Sequence, residues 1–203
     1  MINFQNYKSV LCVDGDLPQK EFFLNCKNLP IIAADGAANK LIIMGIKPDL
    51  VIGDLDGINP ILIRELKTLH VPDQDSSDFQ KCLKYLKENT LLPSIILGIN
   101  GGFLDHILNN INIFMETENI LYAPPILGQV IHGETTWSLP INTKISILGI
   151  PNANISTKGL RWEVSDYDMS FPGTTSCFNQ TVKNEITITV NSGKVLVLIY
   201  SPM

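Results

Sequence analysis

Apolar residues follow two rhythms along this chain. Short unbroken runs in "SVLCVDGD", "PIIAADGA", "LVIGDLDG" and "SIILGING" each give way to Asp, Gly or Asn, as buried strands do where they meet a loop. Between them, "AANKLIIMG", "PILIRELKTL" and "SDFQKCLKYLKENT" repeat their apolar residues every three or four positions, the period of a helix buried on one face. A fourth helix is predicted over "FLDHILNNINIFME". Strand and helix alternate in this way over the first 125 residues, which predicts an α/β N-terminal domain on a mainly parallel sheet.

From about Tyr122 the rhythm becomes β-branched alternation without helical period, in "PPILGQVIHGETTWSLPINTKISILGI", "GLRWEV" and "NEITITVNSGKVLVLIY". Asn191, Ser192 and Gly193 read as a turn. The expectation is an all-β C-terminal domain, sandwich-like or a small barrel. The division predicted is 1-124 for the α/β domain and 125-203 for the β domain. Pro124-Pro125 forms the junction, because proline neither continues a helix nor donates to a central ladder.

Composition narrows the function. In 203 residues, 45% are hydrophobic and 17% charged, a folded rather than a disordered balance. The formal net charge of −5 argues against a general binder of nucleic acid or anionic membrane, which would carry a basic stripe. No apolar run approaches the roughly 18 residues a membrane span requires. Cys12, Cys26, Cys82 and Cys177 lie far apart without a C-x-x-C pair, and "MINFQNYKSV" has no secretory pattern. Reduced cysteines in a cytoplasmic protein are therefore expected.

Acidic residues gather where strands become loops: Asp35 in "AADGAANK", Asp54 and Asp56 in "GDLDG", Asp73, Asp75 and Asp78 in "PDQDSSDF", and Asp105 in "GGFLDH". Ligands of an open α/β sheet bind beyond the carboxyl ends of its strands, so these groups can converge. Converging carboxylates repel unless they share a cation, and an oxygen-only set suits a hard ion such as Mg²⁺ with a polyphosphate substrate. On an extended segment Asp54 and Asp56 project to one side and would reach one ion together. Any single one of these aspartates can instead close a turn or cap a helix, with Asp73 and Asp75 expected as caps of the following helix.

"GINGG", residues 98 to 102, follows a strand and opens a helix, where backbone N–H groups can meet a phosphate or simply form a tight turn. A Walker motif is absent, and so is any legible Ser, Cys and His nucleophile arrangement. Of three histidines, only His106, beside Asp105, has a functional setting. Trp162 in "GLRWEV" offers either a flat face for a ring or an ordinary core contact.

Taken together and in order, "ADGAANKL", "PDLVIGDLDGI", "PDQDSSDFQKCL", "GGFLDHILNNI" and "TKGLRW" resemble the thiamin pyrophosphokinase family over nearly the whole chain. The resemblance implies a homodimeric, ATP-dependent diphosphotransferase using Mg²⁺, with thiamin or a similar heteroaromatic alcohol as acceptor. It implies metal and catalytic carboxylates at Asp54, Asp56 and Asp78, nucleotide contacts at Asp35, Gly36, Asn39, Gln74, Asp105 and His106, and acceptor contacts at Trp162, Ser176 and Asn179. It further implies an active site completed across the dimer. Three positions depart from the family pattern: Phe103 stands in place of an arginine, Phe178 in place of the second serine of S-x-S-N, and Gly57 in place of the serine after D-x-D. "LVIGDLDGI" also resembles the D-x-D-G run of haloacid-dehalogenase-like phosphatases, with Asp54 as nucleophile and Asp56 as general acid. A third reading keeps the fold and nucleotide binding without catalysis.

Overall fold

The apolar runs of the first half become parallel strands covered on both faces. In the computed structural model, which describes residues 3–200, strand β1 (Ser9–Cys12) leads through helix α1 (Lys20–Asn25) to β2 (Ile31–Ala34). Helix α2 (Ala37–Ile43), β3 (Leu50–Gly53), α3 (Pro60–Glu65), β4 (Thr68–His70) and α4 (Asp78–Glu88) follow. Strand β5 (Ser94–Leu97), helix α5 (Leu104–Phe114) and β6 (Ile120–Ala123) complete this unit, Met1–Ala123. Every residue of β1, β2, β3 and β5 is buried, which is why these strands read as continuous apolar runs rather than as alternation.

All pairings in this sheet are parallel, in the order β6-β5-β1-β2-β3-β4. From β1 the chain steps to one side through β2, β3 and β4, then returns to the other side of β1 as β5. That reversal opens a crevice beyond the carboxyl ends of the strands, the place where such sheets take their ligands.

Two local expectations give way to tertiary structure. "PILIRELKTL" is not one helix: Asn59 caps α3 by accepting the Ile61 N–H at 3.0 Å, but the helix stops at Glu65. Residues Thr68 to His70 then pair with Val51 to Gly53 as an edge strand. Asp73 and Asp75 do not cap α4. Ser77 does, in a capping box with Gln80 whose side chain accepts the Ser77 N–H at 3.0 Å. Asp73 instead closes its own turn, accepting the Asp75 N–H at 3.2 Å and the Ser76 hydroxyl at 2.5 Å.

The second unit, Pro124–Met203, is antiparallel. It comprises β7 (Ile126–Ile131), β8 (Glu134–Ser138), the long β9 (Lys144–Lys158), β10 (Tyr167–Ser170), β11 (Ser176–Gln180) and the long β12 (Glu185–Tyr200). Asn191 to Gly193 is not a hairpin turn. The chain runs through it inside β12, where the register against β9 shifts and Gly193 takes φ +76°. One half of β12 pairs with β8 and the other with β7, while β9 is flanked by β10 along one half and β11 along the other. Strands that change partners at a bulge form the corners of a two-layered β structure. Ile145, Ile147, Ile155, Ile186, Ile188, Val195 and Val197 fill its core.

Candidate functional site

The carboxyl ends of β1, β2, β3 and β5 open on a pocket of about 560 Å³. Asp14, Asp35, Asp54 and Asp78 line it, with Lys40, Lys81, Gln74, Phe103 and His106. A larger groove, about 940 Å³, lies along α4 and the end of α5 against Leu92 and Pro93, and contains none of these carboxylates.

Asp35 follows β2 and is 6% exposed. Its backbone has φ +33°, its Oδ2 accepts the Gly57 N–H at 2.8 Å, and its Oδ1 is buried without a hydrogen-bond partner among the described residues. Asp54 follows β3; its Oδ2 accepts from Gln74 Nε2 at 2.8 Å. Asp78 opens α4, and its Oδ1 accepts from Lys81 Nζ at 3.0 Å. One oxygen from each of the three lies within 4.8 Å of the others.

The charges follow from this geometry. Burial pushes the Asp35 carboxyl above its ordinary value, the Gly57 N–H opposes the rise, and the charges of Asp78, Asp54 and Asp56 add to it. The Asp54 carboxyl is lowered, first by the Gln74 amide and then by the Asp56 N–H. Burial works against the Lys81 ammonium, but Asp78, Asp54 and Asp73 outweigh it and raise its pKa. A buried carboxylate with an unpartnered oxygen, grouped with two further carboxylates, is a donor set that a hard divalent cation satisfies, so the residues present fit Mg²⁺.

Asp56 stands outside this trio. Leu55 takes φ +67°, so D-x-D is not an extended segment, yet the Asp56 side chain still lies close enough to Asp54 to help lower its carboxyl. Asp56 is exposed, and its N–H reaches back to Asp54 Oδ1 at 3.4 Å. Asn39 positions the site: its Nδ2 donates to the Gly57 carbonyl at 2.8 Å and its Oδ1 accepts the Asn59 N–H at 2.9 Å, holding the Asp54–Asn59 loop to α2. Gly36 lines the pocket, and a Cβ there would stand 2.7 Å from Asp14 Oδ2. His106 also lines it, while Asp105 does not and accepts the His106 N–H at 2.9 Å.

Sequence reasoning passed over Lys81, Lys40 and Asp14. Lys40 Nζ meets Asp14 Oδ1 at 2.8 Å and the Gly15 carbonyl at 2.9 Å. A lysine three residues after Asp78 on a helix, and "VDGD" after the first strand, were the available signals.

In the β unit, Trp162, Ser176 and Asn179 line one pocket of about 170 Å³ with Thr157, Tyr167 and Met169. Trp162 is 57% exposed. Asn179 is 2% exposed, and its polar atoms serve the protein itself. Its Oδ1 accepts the Trp162 N–H at 3.2 Å and the Gln180 N–H at 2.9 Å, while its Nδ2 donates to the Trp162 carbonyl at 2.9 Å and reaches Ser176 Oγ at 3.4 Å. Phe178 lies outside this pocket, against the Tyr200 ring at 5.2 Å.

Residues 24–122 match the family model described as thiamin pyrophosphokinase, catalytic domain, and residues 139–195 match that described as thiamin pyrophosphokinase, vitamin B1 binding domain. Thiamine pyrophosphokinase 3 of Oryza sativa subsp. japonica is 28% identical over 173 residues, an alignment covering 74% of this chain and 65% of that protein. Thiamine pyrophosphokinase 2 of Arabidopsis thaliana is 31% identical over 172 residues, covering 72% of this chain and 62% of that protein. The chain thus spans just under two thirds of the length of these two relatives. The crystal structure of thiamine pyrophosphokinase from Bacillus subtilis superimposes with a TM-score of 0.80 at 19% identity, over 97% of this chain and 100% of that one, which shows a shared fold.

Proposed function

From the premise that the chain belongs to the thiamin pyrophosphokinase family, we propose that it transfers the terminal pyrophosphoryl group of ATP to the hydroxyl of thiamin, giving thiamin diphosphate and AMP. The observation that carries this reading is the trio of Asp35, Asp54 and Asp78, with its orphaned buried oxygen, at the reversal point of the parallel sheet. A polyphosphate cannot approach three carboxylates by itself, and a cation held there makes the approach favourable. Mg²⁺ is the proposed ion, held by Asp35, Asp54 and Asp78; when bound it neutralises charge on the phosphoryl oxygens.

The chain's own residues supply position. Gln74 orients Asp54, and Lys81 orients Asp78. Asn39 and the Asp35 carboxylate hold the loop that carries Asp54 and Asp56. In the reaction the thiamin hydroxyl oxygen bonds to the β phosphorus, and the bond from that phosphorus to the oxygen bridging toward the α phosphorus breaks. AMP leaves with the bridging oxygen. Asp56, outside the trio and open to solvent, is assigned as the acceptor of the hydroxyl proton. Trp162 provides an exposed face for the acceptor ring, and Asn179 fixes the backbone that presents it.

The proposal includes a homodimer, supported by the exposed Trp162, Tyr167, Phe171 and Phe178 of the β unit. A reducing, cytoplasmic setting is supported by four free cysteines, three of them buried. Among the described residues no helix is long and apolar enough to cross a membrane.

The test is to incubate the protein with ATP, Mg²⁺ and thiamin and to follow AMP. AMP released only when thiamin is present is expected. Phosphate released from generic monoesters would favour the D-x-D-G phosphatase reading, and nucleotide binding without AMP would show that catalysis is lost.

A further inference from the structure

Phe103 is 76% exposed, yet it faces the carboxylate pocket. It directly follows Gly101 and Gly102, both with positive φ, and precedes α5, whose first turn has no side-chain cap. Its ring meets the His106 ring edge-on, with centroids 5.9 Å apart and planes at 79°. This one contact steadies the ring, and at 76% exposure most of its surface stays open. A bare aromatic face in water beside a polar pocket is a costly arrangement that a flat ligand relieves.

The rest of the pocket defines which part of a ligand reaches that face. Four aspartates line it, and both lysines that line it are engaged: Lys40 with Asp14, Lys81 with Asp78. The polyphosphate of a nucleotide therefore belongs at the carboxylates with its cation. The other end of the ligand is left to Phe103, an exposed aromatic side chain that lines the pocket just before α5. The acceptor ring has its own aromatic partner in Trp162, on the other unit.

Resting on the nucleotide reading above, we infer that Phe103, steadied by His106, is the platform on which the base of the bound nucleotide stacks. The pocket then grips its ligand at two ends by different physics, charge at the phosphates and stacking at the base. Base stacking on an aromatic side chain does not depend on hydrogen-bond readout, so the platform accepts purines generally.

The experiment measures binding of Mg·ATP and of Mg·tripolyphosphate, which has no base, to the full chain by calorimetry. Wild type is compared with Phe103→Ala and Phe103→Tyr. Phe103→Ala is expected to weaken Mg·ATP by about tenfold, the low end for loss of one base–aromatic stack, and to leave Mg·tripolyphosphate unchanged. Phe103→Tyr, which keeps the ring, is expected to restore Mg·ATP binding. In the wild-type complex the adenine H2 and H8 resonances should move upfield by ring current, and Phe103→Ala should abolish that movement. Unchanged Mg·ATP affinity in Phe103→Ala overturns the inference, as does equal weakening of both ligands or dissociation of the protein into smaller species by the variant. Wild type that binds neither ligand would instead remove the nucleotide reading, and this inference with it.

Discussion

Replacing Asp35 with asparagine should stabilise the metal-free protein and abolish its response to Mg²⁺. Asp35 is a buried carboxylate with one oxygen bonded to the Gly57 N–H and the other unpartnered among the described residues. Leaving such an acceptor unpaired costs about 1–3 kcal/mol, more when it is charged. Asparagine keeps an oxygen for Gly57, removes the charge that faces Asp54 and Asp78, and tolerates the positive φ at this position. A gain of about 1–2 kcal/mol is expected, which for a chain of this size is roughly 2–8 °C in Tm. In the wild type, Mg²⁺ at a hundred times its Kd should add about 2.7 kcal/mol, or roughly 5–10 °C. The variant should gain almost nothing.

The pH dependence of that difference follows from the shift. The folded Asp35 carboxyl has a raised pKa, so the folded state holds its proton to higher pH than the unfolded state, whose value is near the ordinary 3.8. Below 3.8 both states are protonated and the group costs nothing. As pH rises from 3.8 through the folded value, the wild type loses stability relative to Asp35→Asn, and above that value the deficit is constant. Thermal unfolding followed by circular dichroism from acid to neutral pH, with chelator and with Mg²⁺, reads both effects. An Asp35→Asn protein less stable than wild type at neutral pH in chelator, and still stabilised by Mg²⁺, would refute the reasoning.

Asp54→Asn and Asp78→Asn should each lower turnover by about 10²–10³ with unchanged far-ultraviolet circular dichroism, and near-wild-type rates in both at saturating Mg²⁺ would remove them from the site. Gly57→Ala places a Cβ against Asp35 Oδ2. It should displace that carboxylate and weaken Mg²⁺ binding by about tenfold in calorimetry while Tm falls by only a few degrees; unchanged Mg²⁺ affinity would show that the trio does not depend on this contact. Asn179→Ala removes a buried amide with bonds to both backbone groups of Trp162. It should cost about 1–3 kcal/mol in urea denaturation, shift tryptophan emission, and raise the KM for thiamin more than the KM for ATP.

Strands covered on both faces were legible as strands because burial leaves them almost wholly apolar, with only Ser9 and Ser94 polar and bonded to each other, and the aspartates after β2 and β3 were legible because the handover from apolar run to loop is abrupt. What escaped was whatever depends on a neighbour distant in sequence. Thr68 to His70 follow a helical run without a break, and only pairing with β3 makes them a strand. Asn191 to Gly193 have the composition of a turn, but continuous pairing with β9 on both sides draws them into a bulge. Helix α1 is only six residues long, too short for periodicity to register, and is anchored by Phe22 stacked on Tyr122 at 4.8 Å.

The same distinction governs the site. A D-x-D spacing suggests two ligands from one extended segment, but a single left-handed residue, Leu55, breaks that extension, and the carboxylates grouped with Asp54 come from other elements, Asp35 after the neighbouring strand and Asp78 at the start of α4. Gly57 explains why this exchange holds together. Its N–H secures Asp35, and a side chain at that position would occupy the space of the carboxylate it secures. The glycine that departs from the family pattern is therefore tied to the carboxylate trio itself. Trp162 and Asn179 make the complementary point in the β unit, where residues 17 apart in sequence are joined by a side-chain amide that bonds both backbone groups of the tryptophan, which no local pattern announces. Chemistry at the strand ends could be read from residue type alone; the identity of the third carboxylate and the footing of the tryptophan are consequences of packing.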